Sequence, residues 1–178
     1  MIDEQEAFAA AQRLRNILTV VLILTVGLVV AATVSGASNQ GGMVAAATGH
    51  MGWQGPALGR GQQIALVAIG CVHLGFWEAL LLIARRIVGR FGTGNLTQAA
   101  ASAQALTYLL WGLFAWTIVA GALGSVILTW HMPSGERALA IGLSSTQLSL
   151  AIAALIAGFM TKAFVLCAAL WQDYQEVI

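Results

Sequence analysis

Charge is what this chain has least of. Only 8% of its 178 residues are Asp, Glu, Lys or Arg, against about 25% in soluble domains. A chain so poor in charge cannot cover a water-facing surface, so most of its exterior must meet lipid or other protein. The eight basic residues are scattered and the net charge is +1, so no basic stripe exists to hold nucleic acid. Cysteine is nearly absent too. Cys71 and Cys167 each lie in an apolar run, where a thiol behaves as a small hydrophobe, and their spacing fits neither a zinc site nor a redox pair. The chain has no Ser-His-Asp set at plausible depth, no HExxH, no phosphate loop and no close pair of carboxylates. Gly92-Thr93-Gly94 is too short to cradle a phosphate. These absences argue against an enzyme.

Long apolar runs are what the chain does have. The one around which the others are placed is 63–84, followed at once by Arg85, Arg86 and Arg90. A run of this length reads as a transmembrane helix. Further spans are expected at 16–34, 103–130 and 146–170, which makes an all-α, four-transmembrane-helix bundle that accounts for residues 1–178 as a single membrane domain. Residues 1–15 place Asp3, Glu4 and Glu6 before Arg13 and Arg15, an order that suits a helix macrodipole, and they are expected to form a short interfacial helix running into the membrane. The first span resembles a signal peptide only loosely. Its apolar core is longer than the ~7–15 residues of such segments and acids rather than bases precede it, so it is expected to stay attached.

The connections carry the breakers. Residues 35–62 hold eight glycines and Pro56, with Met43, Met51 and Trp53 apolar enough for the lipid interface. Pro133 and Gly135 mark a turn after the third span, and 137–144 alternates loosely enough to permit a short extended segment. Orientation follows from Lys and Arg near the span ends. Arg13, Arg15, Arg85, Arg86 and Arg90 fall on one side; Arg60 and Arg137 fall on the other. Both termini are therefore expected in the cytoplasm. The triplet Asn95-Leu96-Thr97 then lies on the cytoplasmic side, away from glycosylation.

Three side chains in the spans carry possible chemistry. Intramembrane ionisable groups mark functional sites by default. His73 could ligate a haem iron or a chlorophyll-type magnesium, but a second axial histidine at the same depth is missing, since His50 and His131 fall in or beside the connections. The plainer reading is a histidine hydrogen-bonded to a neighbouring helix. Glu78 and Lys162 are the only acid and base embedded in the spans. Each needs a partner, so Glu78 and Lys162 are the candidates for a structural ion pair; the alternative is that Lys162 snorkels to the cytoplasmic interface and Glu78 meets Arg85 two turns on. Small residues recur at helix-packing spacing: Gly27 with Ala31, Cys71 with Gly75, Ala120 with Gly124, Gly121 with Ser125, and Ala154 with Gly158. On the second span, the face with Cys71, Gly75, Glu78, Leu82 and Arg85 is expected inside. The bulky face with Leu66, Ile69, His73, Trp77 and Leu80 is expected against lipid or a partner chain.

Two stretches, ALLLIARRIVGRFGTGNLTQA and PSGERALAIGLSSTQLSLAIAALIAGFM, together with the tail QDYQEVI, carry a family likeness. The chain resembles the bacterial four-helix membrane proteins of unknown function grouped as DUF2975. It departs from that pattern at KAFVLCAALW, which is nearly all apolar where the family has charges. The resemblance implies the four-span topology and supplies no catalytic residue. Taken together, the residues point to a non-enzymatic inner-membrane protein acting by association, as an accessory or structural subunit of a larger membrane complex. Its partners would be the lipid bilayer and other membrane subunits. Alternatives are a small-solute transporter or channel, and a haem or pigment binder through His73.

Overall fold

The computed structural model describes residues 4–38, 58–92, 96–133, 135, 137, 139 and 141–176. His50, Met43, Met51, Trp53 and Asn95 lie outside them. Four helices follow one another: α1 (Glu4–Ser38), α2 (Arg60–Gly92), α3 (Leu96–Thr129) and α4 (Ser145–Glu176). Each contains a stretch long and apolar enough to cross a membrane: Ala9–Ala31, Arg60–Arg90, Thr97–Thr129 and Ser145–Cys167. The chain is thus an all-helical protein with four membrane-spanning candidates, as its apolar runs require.

The helices overrun the spans expected from hydropathy. At 1.5 Å per residue, 32–35 residues reach about 50 Å, while the hydrocarbon core is about 30 Å thick. Polar stretches therefore continue the same helices into the interfaces. The acidic leader is one with the first span, helical from Glu4 onward. Among the described residues of 137–144 there is no strand.

Two helix starts are set by glutamine. Ser144 and Gln147 cap α4 reciprocally: the Ser144 N–H donates to Gln147 Oε1 at 2.6 Å, and the Gln147 N–H donates to Ser144 Oγ at 3.4 Å. This is a capping box, which satisfies two of the orphan donors at a helix start. At α2, the Gly59 N–H donates to Gln62 Oε1 at 2.9 Å. Beyond α3 the chain turns at Gly135, whose φ of +117° is a backbone state that side chains rarely adopt. Arg137 folds back there, its Nε donating to the Met132 carbonyl at 3.2 Å and its guanidinium lying 5.6 Å from the Trp130 ring.

The helices pack in chain order. α1 lies on α2, α2 on α3, and α3 on α4, and no other pair of helices is in contact among the described residues. The result is an open row, with α1 and α4 as its edges. Its centre is α3. Leu113 on α3 is fully buried, with Leu80 of α2 and Leu150 of α4 in the same core, surrounded by Phe76, Leu106, Leu109, Leu110, Phe114 and Trp116.

Small and polar residues set the close approaches. A Cβ placed on Gly112 would meet Phe76 Cε1 at 3.3 Å, and one on Gly158 would meet Thr107 Cγ2 at 3.5 Å. The hydroxyls of Thr107 and Thr161 are 3.2 Å apart across the α3–α4 contact. The α2–α3 hairpin is clamped at both ends. Gln62 Nε2 donates to the Ile127 carbonyl at 2.5 Å and reaches His131 Nδ1 at 3.2 Å. At the other end, Arg90 Nη1 donates to the Gln98 carbonyl at 2.9 Å and to Ser102 Oγ.

Candidate functional site

The described residues contain two buried side-chain polar atoms with no hydrogen-bond partner, Glu78 Oε2 and Trp116 Nε1. Trp116 lies in the core, stacked on Phe76 with ring centroids 6.3 Å apart. Glu78 is different, because it lines a groove. Leu74, Trp77, Glu78 and Leu81 follow the i, i+3, i+4, i+7 spacing that puts them on one face of α2. Leu24, Thr25 and Val29 of α1 close the other side, and together they enclose about 340 Å³.

The groove is apolar but for two oxygen-bearing side chains. Thr25 Oγ1 donates to the Val21 and Leu22 carbonyls, each at 3.0 Å. Its proton serves its own helix. Glu78 is the one acidic side chain among the lining residues. In an apolar setting a carboxylate needs a cation, a proton or a donor to offset its lost hydration.

The structure does not bring Glu78 and Lys162 together. α3 stands between their helices, α2 and α4 make no contact among the described residues, and Lys162 is exposed on α4. The expected pair fails because helix order in the row, not depth, decides which charges can meet. On α4 it is Gln147, Leu150, Ala154 and Thr161 that are buried. Lys162, one residue past Thr161, turns away from that face and can run its stem along apolar surface toward an interface.

The expected faces of α2 hold only in part: Glu78 is half-buried and Trp77 is exposed as expected, but Cys71, Gly75 and Leu80 depart from expectation. Cys71 and Gly75 are exposed, and a Cβ on Gly75 would meet nothing within 4 Å. Leu80, from the bulky face, is buried at 7% exposure against the α3 side. The physical reason is that close approach needs a small residue on only one of two helices. Gly112 of α3 supplies it, and Phe76 of α2 fills the space. Of the five small-residue pairs, Ala154 with Gly158 lies at a helix contact, with Ala154 at 0% exposure. Gly27 and Gly121 are exposed with open space where a Cβ would stand.

His73 is half-buried, and its Nε2 accepts from Trp77 Nε1 at 3.2 Å, one turn along the same helix. Its partner is thus on α2 itself rather than on a neighbouring helix. A haem or pigment metal would have to displace that bond or use Nδ1. His131 lies beyond the end of α3 beside Gln62, well away from His73 in sequence and helix position. Among the described residues no three His, Cys, Asp or Glu gather to hold a metal ion.

Sequence reasoning marked Glu78 as embedded but missed its groove. It also missed Gln62, Arg90 with Ser102, and the Ser144–Gln147 cap. The last was legible, since S-x-x-Q before an apolar run is a known start signal. No family model, curated protein or solved structure matches this chain.

Proposed function

We propose that this protein is a non-enzymatic inner-membrane protein that works by association, as an accessory or structural subunit of a larger membrane assembly. The observation that carries this reading is the open row of helices. Four helices that packed all round would form a self-contained unit with one shared core. Here α1 and α4 do not meet among the described residues, so the row presents two edges and two broad faces. The α2 face with Cys71 and Gly75 leaves room for another backbone to approach closely, as small residues do in membrane interfaces. A layer of this shape suits a surface on which other subunits stand. The likeness to the DUF2975 proteins belongs with this reading and brings no catalytic residue with it.

Both termini are assigned to the cytoplasm on the arginine asymmetry, five against two. Reporter fusions after residue 98 and at the C-terminus should be active only with a cytoplasmic reporter. A periplasmic signal at either point reverses the orientation. The subunit reading is tested by purifying the protein from its native membrane in mild detergent and identifying the chains that come with it. A stoichiometric membrane protein in the same peak supports it. A single monodisperse species of one chain, with nothing else bound, overturns it.

A further inference from the structure

We propose that the α1–α2 groove is a binding site for a lipophilic organic cation, with the Glu78 carboxylate as counter-ion and Trp77 as an aromatic wall. The inference is separate from the subunit reading and rests on the groove alone. Its volume, about 340 Å³, falls within the roughly 300–1,000 Å³ of small-molecule sites. Leu24, Val29, Leu74 and Leu81 give it apolar walls.

The polarity of the groove selects the sign of the ligand. Glu78 Oε2 is buried without a hydrogen-bond partner. Thr25 has its proton engaged by backbone carbonyls and offers lone pairs. Trp77 presents a π system, and its Nε1–H is taken by His73. Each of these attracts positive charge, and among the described residues no cationic side chain lines the groove. Anions are therefore disfavoured. A bare metal ion is a poor fit as well, since it needs several oxygen or nitrogen ligands and only Glu78 and Thr25 supply oxygen from side chains. An organic cation meets both requirements at once: its charge pairs with the carboxylate in a low-dielectric setting, where such pairing is strongest, and its hydrocarbon replaces lipid against the leucines. Access is from the bilayer, because Leu24 is 66% exposed and Trp77 is 45% exposed. Lys162, the other embedded charge, is on α4 and does not compete for Glu78.

The test uses the purified full chain with tetraphenylphosphonium as probe and tetraphenylborate as an anion of the same shape. Saturable binding of the phosphonium is expected, weakened at least about tenfold by E78Q, a change of about 1.4 kcal/mol, and unchanged by K162Q. V29W, which fills the groove while keeping Glu78, should also weaken it. Tetraphenylborate should bind no more weakly to E78Q than to the parent chain. The proposal is overturned if E78Q and V29W bind the phosphonium as well as the parent, or if the two probes bind alike. It is also overturned if E78Q releases a partner chain that the phosphonium cannot displace, because the groove is then the seat of another helix. Should both variants aggregate, the parent protein decides: the phosphonium must shield Glu78 from a hydrophobic carbodiimide, as read by peptide mass mapping, and labelling unaffected by the probe refutes the site.

Discussion

The span in α1 and the span in α3 are opposites in a way that hydropathy does not anticipate. The α1 stretch has a mean hydropathy of 2.3 with none of it buried, whereas the α3 stretch has 1.8 with 11% buried. Of these two stretches the more apolar is at an edge and the less apolar is inside the row, although the other edge stretch, in α4, is 17% buried. In water the order would be the reverse. In a bilayer, lipid tails solvate leucine as well as another helix does, so apolar character alone gives no reason to pack. What draws α3 into the middle is shape and polarity: Gly112 admits Phe76, Ser102 receives Arg90, Thr107 meets Thr161, and the Ile127 carbonyl takes Gln62. α1 lies along α2 with much of its apolar surface open. Ile17, Ile23, Leu24 and Val30 stand more than half exposed along it.

That contrast is most directly broken by truncating one leucine or isoleucine on each helix. Leu113→Ala should cost about 2–5 kcal/mol, the range for large-to-small changes at fully buried sites. Ile23→Ala, at a position 64% exposed, should change stability by less than about 0.5 kcal/mol. Reversible unfolding in mixed detergent micelles measures both. Equal losses would mean that α1 is packed as tightly as α3 and that the row is not open at that edge.

The polar clamps come next. Arg90→Ala removes the donor to the Gln98 carbonyl and Ser102 Oγ, and the loss should be about 1.5–3 kcal/mol, as for a hydrogen bond made by a charged group. The same unfolding assay reads it, with Arg13→Ala on exposed α1 surface as the matched control of small effect. The cap on α4 should matter slightly less. Ser144→Ala removes the acceptor for the Gln147 N–H and should cost about 0.5–2 kcal/mol. Amide exchange should speed up in the first turn of α4 and leave the α2–α3 contact unchanged.

How much of this could be read from the residues follows the same division. The four spans were legible because lipid imposes a length and an apolar composition that few other settings demand. The helices run on past most of these spans, through the interfaces where hydropathy has already fallen. The neighbours of each helix were not legible, because apolar residues do not specify which apolar surface they meet. Hence the departures on α2: Cys71 and Gly75 read as a contact stripe, but the glycine that receives a bulky partner is Gly112. Glu78 and Lys162 both lie within apolar stretches, on helices that do not touch among the described residues. Pairing depends on helix order across the row, and loop lengths do not encode that order. The clamps of Gln62 and Arg90 stood at span ends, where their residue types are common for reasons of solubility alone.

The smallest expected effect sharpens the comparison furthest, because it isolates packing from everything else. Gly27→Ala on α1 and Gly112→Ala on α3 make the same chemical change within a helix. Intrinsic propensity favours alanine over glycine by about 0.8–1 kcal/mol in aqueous helices, and the term is shared by both sites. At Gly27 the new methyl meets nothing within 4 Å, so Gly27→Ala should be neutral or slightly stabilising. At Gly112 it would stand 3.3 Å from Phe76 Cε1, closer than ordinary van der Waals contact. Phe76 would have to retreat, yet it is held by stacking on Trp116 and lies among the core side chains. Overpacking of this kind costs about 1–3 kcal/mol, enough to cancel or outweigh the gain in propensity. The two variants should therefore differ by at least about 1 kcal/mol, with Gly112→Ala the less stable. A second change, Phe76→Leu, should relieve Gly112→Ala and do nothing for Gly27→Ala. If the two glycines respond alike, or if Phe76→Leu fails to distinguish them, the α2–α3 contact is not set by that glycine and the contrast between edge and centre has another cause.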